Sequence, residues 1–303
     1  MDIRKLNYRV GWLVADYLNE NPRAITPALL ASVLPDEVDS TVDAAVELVV
    51  YRALLGGFLG LDPESSAEDR FIDEQYLRPG LSRLDPAVWR ANPFYQSIHI
   101  EPAVCDGWEL AWQRYEPFEL FLRDDLVLTE DLRQIPAIGY FPASFSYPSV
   151  LQNGREWMSI KPSEIASSQA AIDAAFGRVV TFGLGLGYFA FMAARKSSVV
   201  SVTVVERDPA VIRLFHEQIL PQIPERDKIT VIQADAFDYL DSQMRPAEVD
   251  FVFMDIWHDI ADGTDLYIRA KQYEAHFPLT RFTYWIERSL RCALVDRLEH
   301  LSH

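Results

Sequence analysis

The clearest alternation of apolar and polar segments lies in the second half of the chain. Short apolar runs at Val179–Phe182, Val199–Val205, Ile229–Ile232 and Phe251–Met254 are separated by segments with helical spacing. Apolar runs that alternate with helices are typical of parallel strands buried on both faces. The pattern therefore predicts an α/β fold, a doubly wound sheet of four parallel strands in the order 3-2-1-4.

The segment after the fourth strand has helical periodicity. A helix capped by Thr264 is predicted to follow that strand, and residues 279–303 carry an apolar stripe at helical spacing. Neither part has a β-branched run or a glycine-rich turn, so we expect the sheet to be truncated after the fourth strand. An open sheet edge invites association, and we expect the final helices, the N-terminal region or a second copy in a homodimer to cover it.

The first half of the chain has two other patterns. Apolar residues recur at helical spacing through the first hundred residues, with Thr26 placed as an N-cap and a longer helix over residues 39–59. From Gly107 the pattern alternates, and Asn153-Gly154 between two alternating segments predicts a two-residue hairpin turn. We therefore predict a helical N-terminal domain at 1–106, a β-hairpin region at 107–162 and the α/β domain at 163–303.

Composition narrows the classes of partner and compartment. The net charge of -17 and the pI of about 4.7 argue against nucleic acid and against anionic membrane surfaces. The two cysteines form neither a disulfide framework nor a metal cluster, so no metal is expected and a reducing cytoplasm fits. The start of the chain has no continuous apolar segment typical of a signal peptide, and no stretch predicts a membrane span. We expect a cytoplasmic protein with a neutral or cationic small molecule as its partner.

The stretch TFGLGLGYFA joins the first strand to the following helix. Gly183, Gly185 and Gly187 alternate there, and a turn without side chains allows a ligand to approach the backbone closely. Glu206 ends the second strand, nineteen residues after Gly187, where an acid can accept hydrogen bonds from ribose hydroxyls. Together these features suit a nucleoside site. The alternatives are a purely structural turn for the glycines and a solvated loop acid for Glu206. A dinucleotide site would explain both features equally well.

Two further acids follow strand ends. Asp235-Ala236 ends the third strand, where Asp235 can accept from a purine amine, cap the next helix, or do both. Asp255 ends the fourth strand at the same edge as the glycines. Trp257 and His258 follow it, and they are candidates for a pocket wall or cation–π contact and for a general base. Packing for Trp257 and simple loop hydrogen bonding for His258 are the alternatives.

Taken in order, these landmarks resemble a class I S-adenosylmethionine-dependent methyltransferase over about Ser163 to Gly263. The resemblance implies a Rossmann-like fold with S-adenosylmethionine as the cofactor and a small molecule as the methyl acceptor. By the same resemblance, the three glycines would approach the methionine part of the cofactor, Glu206 would bind the ribose, and Asp235 and Ala236 would border the adenine. Asp255 would lie near the methionine amino group and the reacting centre, with Trp257 beside it and His258 as a second catalytic candidate.

A narrower likeness links the chain to the polyamine synthases, the aminopropyltransferases. Thr181 is uncharged two residues before the first glycine, and a hairpin leads into the core, as in that family. Leu186, however, stands where those enzymes have an amine-binding Asp, and Asp255 and Asp259 lie one residue further apart than in their pattern. Aminopropyl transfer and non-catalytic nucleotide binding remain the alternatives to methyl transfer.

Overall fold

The structure is a computed structural model that describes residues 2–34 and 44–300. The chain forms two compact units, one of Met1–Trp89 with Arg114–Ser146 and the other of Arg90–Gln113 with Tyr147–His303. Residues 90–106 therefore group with the α/β region. The domain limits predicted after residues 106 and 162 stay predictions.

The elements are numbered in chain order. The helices are α1 (Ile3–Glu20), α2 (Pro27–Val33), α3 (Ala44–Phe58), α4 (Ala67–Ile72), α5 (Arg78–Gly80), α6 (Pro86–Arg90), α7 (Pro93–Ser97), α8 (Pro162–Ala174), α9 (Tyr188–Ala194), α10 (Pro209–Leu214), α11 (Ala236–Ser242), α12 (Ile260–Tyr273) and α13 (Glu287–His300). The strands are β1 (Leu81–Arg83), β2 (Ala103–Cys105), β3 (Trp108–Tyr115), β4 (Phe121–Leu122), β5 (Val127–Leu128), β6 (Gln134–Ile135), β7 (Ile138–Tyr140), β8 (Phe145–Gln152), β9 (Arg155–Ser159), β10 (Gly177–Phe182), β11 (Val199–Glu206), β12 (Ile229–Gln233), β13 (Phe251–Met254) and β14 (Arg281–Tyr284). Single π-helical or 3-10 turns lie at Asp73–Leu77, Phe215–Ile219, Leu220–Gln222, Arg226–Lys228 and Glu274–His276.

The first unit has one continuous apolar core. Helix α1 buries Leu6, Val10, Val14 and Tyr17 along one face, which confirms the helical period of the sequence. Thr26 caps α2 as predicted, because its Oγ1 accepts the Leu29 N–H at 3.2 Å. The start of the predicted helix over 39–59 lies outside the described residues, and its remainder is α3. Among the described residues of the whole chain, no helix combines the length and apolarity needed to cross a bilayer.

The predicted hairpin turn is confirmed in the second unit. Strands β8 and β9 pair antiparallel with Gln152 opposite Arg155, and Asn153 and Gly154 have φ values of 51° and 80°. Positive φ at both central residues is the conformation of the turn that an Asn-Gly pair favours. In its sheet of order β2-β3-β8-β9, strand β9 is an edge strand.

The central sheet of the second unit has five parallel strands in the order β12-β11-β10-β13-β14. The four predicted strands and their order 3-2-1-4 are confirmed, with bounds that differ by two residues or fewer. This order is that of doubly wound α/β folds of the Rossmann-like type. It places the last residues of β10, β11, β12 and β13 at one edge, where their connections to the following helices begin.

The prediction of a sheet truncated after four strands is wrong. Strand β14 pairs with β13 along its whole length, with Met254 opposite Tyr284. Its backbone N–H groups at Arg281 and Trp285 bond across at 3.0 Å each, to the carbonyls of Asp250 and Met254. The edge of β13 is therefore covered by β14 and not by helices or a second copy. The homodimer itself stays a prediction.

The helices around that strand differ from the prediction too. Helix α12 begins at Ile260 rather than at Thr264, because Asp259 caps it in a reciprocal capping box with Asp262. Thr264 is buried inside that helix and bonds back to the Ile260 carbonyl at 2.7 Å. The last helix begins at Glu287, after the residues that form β14.

Candidate functional site

The carboxyl ends of the central strands open onto a cavity of about 440 Å³. Its lining comes from the second unit alone, chiefly from strand β9, helix α8, the loops after β10 to β13, and helix α12. The lining includes Glu156, Trp157, Met158, Lys161, Glu164, Gly183, Gly185, Glu206, Asp235, Ala236, Phe237, Asp255, Trp257, His258 and Arg269. Of the nine predicted site residues, only Gly187 is absent from the lining.

The glycine turn has a left-handed backbone. Gly183, Gly185 and Gly187 have φ values of 93°, 49° and 73°, which only glycine adopts without strain. Gly187 is the N-cap residue of α9, and its N–H bonds back to the Leu184 carbonyl at 2.7 Å. The alternating glycines of the sequence are thus required by the path of the chain from β10 into α9.

Each glycine also lies against a protein group. A Cβ at Gly183 would overlap the backbone carbonyl of Asp255, and one at Gly187 would overlap the ring of Phe215. A Cβ at Gly185 would overlap the thioether of Met158, whose Sδ accepts the Leu186 N–H at 3.4 Å. The sequence predicted close backbone approach here, and in this structure protein atoms make that approach.

Glu206 joins the glycine turn to the end of β11. Its Oε2 accepts the Leu184 N–H at 3.1 Å, and its Oε1 accepts the Asp208 N–H at 2.8 Å. Asp208 in turn caps α10 through the Ala210 N–H at 2.8 Å and accepts the Trp108 Nε1–H at 2.9 Å. These bonds hold the end of β11 at a tight corner, and the carboxylate of Glu206 lines the cavity from it.

Asp235 has the capping role that the sequence allowed. Its Oδ1 accepts the N–H groups of Phe237 and Asp238 at 2.8 and 3.3 Å. The residue is exposed, while Ala236 and Phe237 behind it are buried. The guanidinium of Arg269, on α12, stacks 3.7 Å from the centroid of the Phe237 ring. This part of the cavity combines an acceptor, an apolar floor and a cation.

A pair of carboxyl groups also lines the cavity. Asp255 and Glu164 are both half-buried, and burial, together with the charge of Glu164, holds the pKa of Asp255 well above its usual range. Burial and the charge of Glu156 raise the pKa of Glu164 to about 7, against the lowering effect of Lys161 and His258. Lys161 itself forms an ion pair with Glu156. The two carboxyls can therefore retain a proton near neutral pH.

The sequence analysis identified neither Glu156 nor Glu164. Glu164 is an acid in the first turn of α8, where acids are common on dipole grounds alone. Glu156 alternates with exposed positions on a strand. Their functional signal is three-dimensional, because β9, α8 and the loop after β13 meet only in the folded chain.

His258 lies between two hydrogen-bond acceptors. Its Nε2 donates to the Glu156 carbonyl at 3.1 Å, and its Nδ1 lies 3.5 Å from a carboxylate oxygen of Asp259. The Trp157 ring packs against it with centroids 5.4 Å apart. With both nitrogens facing acceptors, the ring connects the loop after β13 to strand β9, and this arrangement leaves no lone pair directed at a substrate.

Trp257 is 4% exposed and forms part of the cavity wall. Its indole packs on Gly263, where a Cβ would lie 2.9 Å from Cγ. Its buried Nε1–H has no hydrogen-bond acceptor among the described residues.

The described residues contain no group of three or more His, Cys, Asp or Glu side chains arranged to hold a metal ion. Cys105 and Cys292 are both free thiols.

Comparisons with known proteins give partial matches among solved structures. No family model and no curated protein matches the sequence. A "putative O-methyltransferase" from Klebsiella pneumoniae is 21% identical over 35% of this chain and 48% of its own, with a TM-score of 0.28. A conserved hypothetical protein from Streptococcus pyogenes is 19% identical over 35% of this chain and 62% of its own, with a TM-score of 0.29. The chain therefore spans less than two thirds of the length of either protein.

Proposed function

We propose that the second unit binds S-adenosylmethionine and transfers its methyl group to a small-molecule acceptor. One observation carries the proposal: four neighbouring strand ends bring the glycine turn, Glu206, Asp235 and Asp255 to a single cavity. The carboxyl edge of a doubly wound sheet is where such folds bind ligands. A volume of about 440 Å³ is within the range of small-molecule sites.

The residues at this edge suit the nucleoside half of the cofactor. Each carboxylate oxygen of Glu206 accepts one backbone N–H, which leaves lone pairs for the ribose hydroxyls. Asp235 caps α11 through Oδ1, so Oδ2 can accept from the adenine amine. Ala236 would border the base. Gly183 and Gly185 would approach the methionine part, which at Gly185 requires the Met158 side chain to move.

The bound cofactor would supply a sulfonium methyl group for direct displacement by the acceptor. In such a reaction, alignment and exclusion of water matter most. Asp255 and Glu164 would hold one proton between them, and the ionised member of the pair would take up the proton that an amine or hydroxyl acceptor releases. His258 would position strand β9 rather than act as the base, since its nitrogens face Glu156 and Asp259.

Aminopropyl transfer from decarboxylated S-adenosylmethionine is a second candidate, favoured by the carboxyl groups of Asp255 and Glu164. A cationic amine acceptor would find two acids in the cavity, while the neighbouring Lys161 is already paired with Glu156. Against this candidate, the position of the amine-binding Asp is Leu186, which is fully buried. A titration with both forms of the cofactor separates the two candidates, because each requires a different one.

The test is calorimetric titration with S-adenosylhomocysteine, S-adenosylmethionine, its decarboxylated form and NAD. We expect binding of the first two. Asp235→Asn keeps a capping oxygen but loses an acceptor for the adenine amine, and should weaken binding by about 1–3 kcal/mol, or roughly 5- to 150-fold. Glu217→Gln removes an exposed charge from the same unit and should leave binding unchanged. Binding of NAD alone, or equal affinities in both variants, would overturn the assignment.

A further inference from the structure

The face of the glycine turn at Gly185 is covered by a methionine side chain of the same unit. Met158, on strand β9, places its thioether where a side chain on residue 185 would be. Its Sδ accepts the Leu186 N–H at 3.4 Å. The turn thus holds an unbranched thioether chain, with a backbone N–H directed at the sulfur.

This contact differs from those at the other two glycines. Gly183 lies against the backbone carbonyl of Asp255, and Gly187 lies against Phe215, whose ring is 1% exposed. Neither neighbour can leave without unfolding part of the core. Met158 is half-buried, has three rotatable side-chain bonds, and lines the cavity. Of the three glycines, Gly185 is therefore the one whose face can be cleared by a side-chain rotation.

The bonds that hold Met158 in place are weak. A thioether is a poor hydrogen-bond acceptor, and β9 pairs with a neighbouring strand on one side only. The hairpin end is held otherwise by the contacts of His258 with the Glu156 carbonyl and with the Trp157 ring. The side chain can thus move while the hairpin stays attached through the residues before it.

We propose that Met158 is an internal competitor for the cofactor, occupying the glycine turn until a ligand with a thioether or sulfonium chain displaces it. This inference rests on the proposed function and deepens it. A ligand with the same chemical group as Met158 replaces its contacts at Gly185 and Leu186. The measured affinity is then the intrinsic affinity of the open site multiplied by the fraction of molecules in which Met158 has left the turn.

The first test is titration of S-adenosylhomocysteine into wild type, Met158→Ala and Met158→Leu. Removing the side chain opens the turn, so Met158→Ala should bind about ten-fold more tightly. Met158→Leu keeps apolar bulk without sulfur and should fall between the two. Met244→Ala removes a buried methionine of the same unit outside this cavity, and should not change the affinity.

The second test uses the unmodified sequence with methyl-labelled methionine. The chain has 5 methionines, and the Met158 resonance is identified by its loss in the variants. Saturation with S-adenosylhomocysteine should shift this resonance more than those of Met192, Met244 and Met254, towards the value of a solvated methionine. The shift itself is measured on the wild-type chain, and the variants serve only to assign the resonance.

The outcomes separate this inference from the cofactor assignment. If S-adenosylhomocysteine binds and neither the Met158 resonance nor the affinity of Met158→Ala changes, the competitor role is wrong and the cofactor site stands. If it binds neither wild type nor Met158→Ala, both proposals fail. Binding to Met158→Ala alone would support both, since the competitor would then dominate in the wild type.

Discussion

Replacement of Glu164 by Gln should change how the free energy of unfolding depends on pH. Burial raises the pKa of this carboxyl from 4.5 to about 7, so ionising it costs more in the folded than in the unfolded chain. Below about pH 4.5 the group is protonated in both states and the cost is absent. The free-energy cost of ionising Glu164 in the folded chain grows as the pH rises and reaches its full value above pH 7.

The magnitude follows from the linkage between pKa and stability. A rise of the pKa from 4.5 to 7 corresponds to about 3 kcal/mol at pH 8, and to about 1 kcal/mol at pH 5. Glu164→Gln removes the titration, so its stability relative to wild type should increase by about 2 kcal/mol between pH 5 and pH 8. The loss of the Glu164 charge also relieves Asp255, whose pKa it helps to raise, and this acts in the same direction.

The assay is urea unfolding at both pH values, followed by tryptophan fluorescence. The tryptophans of the second unit report on the region concerned, and they are Trp108, Trp112, Trp157, Trp257 and Trp285. Glu217→Gln, an exposed glutamate of the same unit, is the control for removing one negative charge. The reasoning is refuted if both variants show the same change between pH 5 and pH 8.

Three further predictions concern the framework of the second unit. Gly183→Ala should destabilise the protein by about 2–5 kcal/mol in urea unfolding, because the residue has a left-handed φ and its Cβ would overlap a backbone carbonyl. In the control Gly154→Ala, φ is also left-handed but the Cβ would meet open space, so the loss should be about 1 kcal/mol. Equal losses would contradict the overlap. Hydrogen bonds from Arg178 lower the pKa of Asp250 to about 2, so the ionised carboxylate should stabilise the fold above pH 4. The loss of stability of Asp250→Asn relative to wild type, measured by thermal unfolding, should therefore shrink as the pH falls from 3.8 towards 2. A loss that is constant over this range would contradict the prediction. Asp259→Ala should cost about 1 kcal/mol in urea unfolding by removing the cap of α12, and an unchanged midpoint would show that the capping box is dispensable.

The sequence was sufficient for the parts of the fold that local chemistry determines. The four strands, the Asn153-Gly154 turn and the caps at Thr26 and Asp235 are confirmed, because each depends on a few neighbouring residues. The strand order is confirmed for another reason, since it is the order that doubly wound folds share. The positive φ values of the three glycines follow from the same local logic.

The fifth strand was missed because it depends on tertiary contacts. Strand β14 has four residues and adjoins a helical stripe, so its extended form is determined by pairing with β13 rather than by its own pattern. The start of α12 was missed for a local reason, because two caps compete in the same segment. The capping box of Asp259 and Asp262 starts the helix at Ile260, before the predicted cap at Thr264.

Some residues of the candidate site could likewise be predicted from the sequence, and others could not. The sequence located the residues at strand ends, and eight of its nine candidates line the cavity, whereas their binding roles remain predictions. It missed Glu164 and Met158, which reach the cavity from a helix and a hairpin that precede the strands in the chain. Which side chain faces Gly185 depends on the placement of β9, and no spacing in the sequence encodes that placement.

The hairpin turn has a consequence for how the protein ages. Asn153 and Gly154 are exposed at the tip that carries Met158 and Trp157 towards the cavity. Asn-Gly pairs in exposed turns are the readiest sites of spontaneous deamidation, since no Cβ on the following residue hinders cyclisation of the backbone onto the amide. Stored preparations should therefore accumulate acidic variants in which an isoaspartyl linkage lengthens the turn, and old and fresh samples of one purification should differ in ligand affinity.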